Sequence, residues 1–512
     1  MKLSAPNSWQ IADIGEIAQI ISGGTPPSRE SDCFAPPKSA IPWITPADLS
    51  GYKNKFISHG ARDLTEKGLN SCSARLMPKG SVLFSSRAPI GYVAIAENQI
   101  STNQGFKSFV FPQDIDNGFA YYQLRYITPE AEARATGTTF KELSGSAAAK
   151  LPFLVAPKEE QRRIADKLDT TLARVDTLND RLARITPLLK RFRQSVLAAA
   201  YTGKLTQEFR AIEKFKSVDE ALSEISPIPR PNRYNSRTEA IIAGDYALSV
   251  NDAKMKIPEA WKWVPLVDVA RMESGHTPSR SVEAYWGGGI PWIGIADARE
   301  NHAGTILDTI QKTNEEGIKN SAARILPKGT ICVSRTASVG YVVKMGKPMA
   351  TSQDFVNWTC SEAINPDWLK WLFVAEGEAL PRFGKGSTHT TIYFPEWLSL
   401  QVALPPVQEQ NEIVRRVETL FAFADRLEAR LQSAQTAAER LTPALLAKAF
   451  RGELVPQDPN DEPATELLRR LREARVAQTP PKPKRGRKAA ATESALQNSK
   501  TRTSIGLALF PS

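Results

Sequence analysis

The chain repeats itself over most of its length, so whatever it folds into has to be built twice. Ile41 to Leu205 can be laid on Ile290 to Leu454 at a constant offset of 249 residues, without a gap. Ile41-Pro42-Trp43-Ile44 returns as Ile290-Pro291-Trp292-Ile293, Pro78-Lys79-Gly80 as Pro327-Lys328-Gly329, and Gly91-Tyr92-Val93 as Gly340-Tyr341-Val342. Upstream, Gly23-Gly24-Thr25-Pro26 meets Gly275-His276-Thr277-Pro278 at an offset of 252, so the first copy is three residues longer between Thr25 and Ile41. Solenoid periods run about 20–50 residues, so this repeat is a duplicated domain. A protein made of one module twice tends to bind something twice.

Each copy reads as a mixed module followed by a long helix. The globular parts, 1–156 and 256–405, combine short β-rich runs (Ser81 to Phe84, Thr330 to Val333), Gly/Pro turns and helical stretches such as Phe119 to Tyr126 and Trp368 to Glu376. That mixture predicts an α/β (α+β) module. The segments 157–205 and 406–454 carry apolar residues at alternating spacings of three and four, from Ile164 through Leu168, Leu172, Val175 and onward to Val196, and from Ile413 to Leu445. An average spacing of 3.5 is a coiled-coil seam. Pro157 and Pro406 suit the helix starts, Gly203 and Gly452 the stops, and Pro187 and Pro443 are expected to kink the interiors. Two helices of about 44 residues, each roughly 65 Å long, pair most economically antiparallel. Residues 206–255 read as a polar connector, with a capping box at Ser217 and Glu220. Residues 455–512 read as a short helix (Ala464 to Ala477) and then a basic tail whose Pro-Lys-Arg-Gly-Arg run predicts disorder.

Composition narrows the class. At 41% hydrophobic and 24% charged residues, 512 residues are those of a globular protein with room for several cores. The N-terminus has no signal-like apolar core and no run reaches membrane-spanning length; the expectation is a cytoplasmic protein without a membrane partner. Cys33, Cys72, Cys332 and Cys360 are scattered and predict buried thiols. The net charge of +11 suits an acidic partner, but it gathers in the first long helix and the tail while the modules are close to neutral. Nucleic acid held by the modules would need a local basic patch.

A search for chemistry finds none. Gly384-Lys385-Gly386-Ser387-Thr388 lacks the spacing of a phosphate-binding P-loop, and Asp367 breaks the likeness of Asn365-Pro366-Asp367-Trp368 to an amino-methyltransferase motif. The four histidines form no metal-ligand pair at helical spacing. No catalytic residue and no metal ligand is assigned.

The residues at the two ends of each helix resemble the spacers of the specificity subunit of type I restriction–modification enzymes. The segments that carry this are Pro157-Lys158-Glu159-Glu160-Gln161-Arg162-Arg163-Ile164 and Pro406-Val407-Gln408-Glu409-Gln410-Asn411-Glu412-Ile413, with Thr202-Gly203-Lys204-Leu205 and Phe450-Arg451-Gly452-Glu453-Leu454. Ser22 to Pro26 and Ser274 to Pro278 are of the family's type, and the helix sequences look most like its IA subgroup. The resemblance implies a non-catalytic subunit with two target-recognition domains, bound to double-stranded DNA and to two adenine-N6 methyltransferase subunits. S-adenosylmethionine would sit on the methyltransferase, and ATP and Mg on restriction subunits that join the complex; this chain would bind no cofactor. Two other readings stay open from the residues alone: a self-sufficient DNA methyltransferase or nuclease with an unrecognised site, and a coiled-coil scaffold with no DNA role.

Candidate DNA contacts come from where the copies agree and where they diverge. Positions 49–65 and 298–314 share only Ile57 and Ile306, which predicts divergent reading segments and an asymmetric target. Arg87 and Arg335 are displaced by one position relative to each other. Either could reach guanine or phosphate, or be tied to a carboxylate at a sheet edge. Gln104 and Gln353, beside Asn103 and Ser352, could pair with adenine or bond internally. The turns at Gly24-Thr25 and His276-Thr277, and those at Thr138-Thr139 and Ser387-Thr388, could approach phosphate or simply connect strands. Trp43 and Trp292 read as core.

Overall fold

The computed structural model describes residues 5–137, 140–229, 255–336, 338–384 and 390–478. Its chain forms two compact units, Met1–Arg174 with Leu441–Ser512, and Val175–Arg440. Each unit therefore contains one module, the start of the helix that follows it and the end of the other long helix.

The same sheet is built in both modules. In the first, a five-stranded sheet runs in the order Gln19–Ser22, Lys107–Val110, Val82–Ser86, Ile90–Ala96, Phe56–Ile57. In the second the order is Ala270–Ser274, Phe355–Cys360, Ile331–Ser334, Val342–Met345, Thr305–Ile306. Its pairings are antiparallel except at the last strand, where Phe56 faces Ile95 and Thr305 faces Lys344 in parallel. A smaller sheet sets Ile41–Ile44 parallel to Ser101–Thr102, and Trp286–Ile293 parallel to Ala350–Thr351. The three extra residues of the first copy fall here. A loop through Pro36 to Ala40 separates Phe34–Ala35 from Ile41–Ile44, whereas Gly287-Gly288-Gly289 carries the second copy through as one strand.

Ile57 and Ile306, the two residues that the divergent segments share, are both buried within their modules. Each segment is also tied to its module through the backbone, the Ala61 and Ile310 amides donating to Asp48 and Asp297 at 2.8 Å.

The join between module and helix explains the repeated Glu-Gln pair. In the first unit, Trp9 Nε1 donates to Glu160 Oε2 at 3.0 Å, and Gln161 accepts from the Asp116 amide at 2.9 Å while donating to the Ala156 carbonyl at 2.8 Å. The second unit repeats it: Trp261 Nε1 donates to Glu409 Oε2 at 2.9 Å, and Gln410 accepts from the Asn365 amide at 2.7 Å and donates to Pro405 O at 2.8 Å. Both glutamates and both glutamines are buried. A buried amide that closes two backbone groups is a strong positional constraint, because leaving those groups unpaired costs about 1–3 kcal/mol each.

The two interior prolines differ in effect on helix continuity. Lys158–Tyr201 runs unbroken for 44 residues through Pro187. The second stops at Val407–Glu439 and resumes as Leu441–Ala449, so the interruption at Arg440 lies just before Pro443, whose ring crowds the preceding turn. Gly203 and Gly452 lie just beyond the ends with φ of +73° and +71°, the left-handed geometry that lets a chain leave a helix. Within the second unit the helices pair antiparallel: Leu189 packs with Ala424 and Leu431, Arg193 bonds Asp425 at 2.6 Å and Glu428 at 2.8 Å, and Arg416 donates to the Leu205 carbonyl at 2.7 Å. In the first unit Ile164, Leu168 and Leu172 share a core with Leu446 and Phe450.

The capping box at Ser217 and Glu220 is formed, and Ala464–Gln478 is helical. The Pro-Lys-Arg-Gly-Arg tail lies outside the described residues. No helix among the described residues is long and apolar enough to cross a membrane.

Candidate nucleic-acid interface

In each module two loops leave neighbouring strands and are tied edge to edge. The Gly24 amide donates to Thr102 O and the Asn103 amide to Ile44 O, both at 2.9 Å. A Cβ on Gly23 would come within 2.0 Å of the Asn103 carbonyl oxygen, so only glycine permits the approach. The Trp43 indole, 3% exposed, donates to Gly24 O at 3.1 Å and fixes the turn from beneath. Thr25 is left at the surface, where its hydroxyl donates to Gln104 Oε1. Asn103 turns inward, its Oδ1 accepting from the Gly105 amide at 2.9 Å.

The second module rebuilds this arrangement with different side chains. The His276 amide donates to Thr351 O at 2.9 Å, the Ser352 amide to Ile293 O at 3.0 Å, and Trp292 Nε1 to His276 O at 3.1 Å. A Cβ on Gly275 would meet the Ser352 oxygen at 2.0 Å. Thr277 donates to Gln353 Oε1 as Thr25 does to Gln104. Where the first copy has Gly24, the second presents the exposed imidazole of His276. Ser352 is buried and its hydroxyl is spent within the turn, accepting from the Asp354 amide at 3.3 Å.

The displaced arginines differ in surroundings as well as position. Arg87 bonds Glu142 Oε2 at 3.1 Å and also bridges it through the backbone, the sheet-edge arrangement that was one of the two readings of this residue. Lys107 stands behind the same carboxylate at 3.7 Å, and burial pushes its ammonium pKa down against the pull of Glu142. Arg335 instead belongs to the loop cluster: its Nε donates to Gln353 O at 3.1 Å, and its guanidinium lies 4.8 Å from the Phe394 ring centroid. Thr138, Thr139, Ser387 and Thr388 lie outside the described residues.

Two further arginines join the cluster. The Arg62 guanidinium sits 4.7 Å from the Phe34 ring centroid and 5.8 Å from that of Trp43, which it faces across the strand pair. Arg280 sits 5.8 Å from Trp292. Both are exposed. The same tryptophan thus carries a surface arginine in each copy, supplied from non-equivalent sequence positions. Arg62 falls within the divergent segment 49–65, and Arg280 follows the Thr277-Pro278 turn; alignment of the copies could not pair them.

The chemistry available is recognition. Threonine hydroxyls, carboxamides, a histidine and planar guanidiniums converge at the surface, suited to phosphate oxygens and base edges. Burial pushes the Cys360 thiol up to about 12 and the Cys332 thiol higher still, so neither is a ready nucleophile.

Both modules match one family of known proteins. The model of the type I restriction modification DNA specificity domain matches residues 6–186 and again 258–434, one match per copy. The chain belongs to this family. Among relatives, the EcoBI specificity subunit of Escherichia coli is 26% identical, with 93% of this chain and 94% of that one aligned. The MjaIX specificity subunit of Methanocaldococcus jannaschii is 27% identical over 65% of this chain and 67% of its own. The fold also matches that of an HsdS subunit from Thermoanaerobacter tengcongensis, with a TM-score of 0.54 at 16% identity over 88% of this chain and 98% of that one. Family membership makes this chain a DNA-specificity subunit, non-catalytic in itself, with two target-recognition modules.

Proposed function

We propose that each module reads one half of an asymmetric, bipartite double-stranded DNA target through its loop cluster, and that the paired helices set the distance between the halves. The supporting observation is the repetition of one scaffold, glycine turn over tryptophan with a Thr–Gln pair at the surface, dressed differently in each copy: Gly24 against His276, Arg62 against Arg280, and Arg335 present only on the second Gln loop. In this reading Thr25, Gln104, His276, Thr277, Arg335 and Gln353 face DNA, whereas the buried Gly24, with Asn103 and Ser352, shapes the turns. Half-sites one helical turn apart stand about 34 Å from each other, within the reach of helices of this length.

The complex would be completed by two adenine-N6 methyltransferase subunits on the helices, bringing S-adenosylmethionine. ATP- and Mg-dependent restriction subunits would join through that assembly, in the cytoplasm. The test is methylated-base sequencing of cells with and without this chain. A motif of two unlike half-sites with an unread gap is expected. A contiguous or palindromic motif, or methylation by the isolated chain with S-adenosylmethionine, would overturn the reading.

A further inference from the structure

The two modules differ in chemical character along one loop beside the tryptophan cluster. In the second module the strand ending at Ile306 leads into Leu307-Asp308-Thr309-Ile310, and Leu307 and Ile310 are 69% and 67% exposed. The first module carries Ser58 and Ala61 at those positions. The backbones are equivalent. Ile57 O accepts from the Glu97 amide at 2.9 Å and Ile306 O from the Gly346 amide at 2.8 Å, and each loop closes on its aspartate, Asp48 or Asp297. A second exchange accompanies the first. A Cβ on Gly346 would lie 2.6 Å from Leu307 Cδ2, so the second copy lacks a side chain at the place of Glu97, where leucine stands for Ser58.

The charges change as well. Lys312 and Lys347 both bond Asp308, at 2.8 Å and 3.4 Å, two cations on one carboxylate beside the apolar pair. Asp63 and Asn98 hold the lysine positions in the first module. The loop is continuous with the surface cluster. The Trp292 amide donates to Thr309 Oγ1 at 3.1 Å while its indole supports the His276 turn. Asp297, which closes the loop, also accepts from the Gly294 amide at 2.9 Å, one residue beyond the Ile293 carbonyl that takes the Ser352 amide. A methyltransferase subunit present in two copies would need like surfaces on the two modules, and here they are unlike. Exposed apolar side chains flanked by lysines, in a segment that differs between the copies, suit the ligand that itself differs between them: the two DNA half-sites.

We propose that Leu307 and Ile310 recognise the C5 methyl group of thymine in the major groove of the second module's half-site, with Lys312 and Lys347 on the flanking phosphates. That methyl is the apolar group a base pair presents in the major groove, and apolar side chains are what can read it. Lysines on the backbone carry no sequence information; they fix the loop's register and leave the discrimination to the apolar pair. Ser58, His59 and Glu97 make the corresponding surface of the first module polar, so this contact is confined to one half-site. The proposal rests on the functional reading above and adds to it a thymine at a fixed position.

The test uses the full chain assembled with its methyltransferase subunit, bound to DNA that carries its motif with deoxyuridine replacing each thymidine in turn. The replacement removes the methyl and keeps the base pair. At one or two positions of a single half-site it should weaken binding about four-fold each, the worth of one buried methyl group. The double variant Leu307→Ala/Ile310→Ala should bind the two DNAs alike at those positions. Gly346→Glu, whose side chain displaces Leu307, should do the same, and both variants should take up the methyltransferase subunit as the parent does. A motif in which no thymine is methyl-sensitive, or sensitivity that survives in the double variant, overturns the proposal and leaves the bipartite reading standing. Loss of methyltransferase uptake in the double variant with thymine discrimination kept overturns it in favour of a protein-docking surface. A parent complex without a bipartite motif overturns the functional reading, and this proposal with it.

Discussion

At the residue scale, the exposed Thr–Gln pairs and the arginines over tryptophan divide into two kinds of contact. Gln104→Ala and Gln353→Ala should each relax discrimination in one half-site and leave the other intact, by about 1–3 kcal/mol for each base that is no longer read. Binding of the assembled complex to single-base variants of the target checks this. Arg62→Ala should weaken DNA retention across sequences and lower the slope of affinity against salt by about one. A buried residue gives a pH prediction. Burial raises the pKa of Glu160, with the Trp9 bond and Arg163 opposing and Asp461 adding to the rise, and its Oε1 has no partner. Its counterpart Glu409 has Thr206 and Arg210 on that second oxygen. Because the folded chain holds the Glu160 proton more tightly than the unfolded chain, this group's contribution is fully present below the ordinary carboxylate range. It is lost as pH rises through the folded pKa. Glu160→Gln keeps an acceptor for Trp9 and should flatten that loss, with a gain of about 1–3 kcal/mol at neutral pH, read as denaturation midpoints across pH.

At the scale of elements, the helices were the most legible part of the sequence because a seam with 3.5-residue spacing has few alternative solutions. Its burial is uneven all the same. Ile164, Leu168, Ile413 and Val417 are sealed by the modules, whereas Leu178 is 40% exposed. Ile413→Ala should therefore cost about 2–5 kcal/mol, and Leu178→Ala well under half of that, measured by chemical denaturation. The sheets were legible only as short β-rich runs. Strand order depends on contacts far apart in sequence, such as Phe56 with Ile95, that no local pattern records. The divergent segment 49–65 illustrates the limit. Its divergence predicts a reading segment, and within it Ile57 is buried in a core, Arg62 lies over the tryptophan and Lys55 bonds Asp169 on the helix.

For the whole molecule, duplication with unlike surfaces predicts separable specificities. Replacing residues 1–155 by the corresponding module of another family member should change one half-site only. Deleting equal heptads from both helices should shorten the gap and leave both half-sites unchanged. Motif sequencing reads both outcomes.

The sequence by itself determined the twofold repeat, the long paired helices, their proline and glycine punctuation and, through the Glu-Gln helix starts, the family. Periodicity and repetition are properties of order along the chain, and they need no coordinates. Only tertiary structure decided which polar residues converge. Asn103 and Ser352 bond within their own loops, Arg87 is paired with Glu142, and Arg62 and Arg280 lie over the equivalent tryptophans from unaligned positions. The physical reason is the same in each case. A side chain's availability depends on the neighbour that reaches it first, and that neighbour comes from elsewhere in the chain.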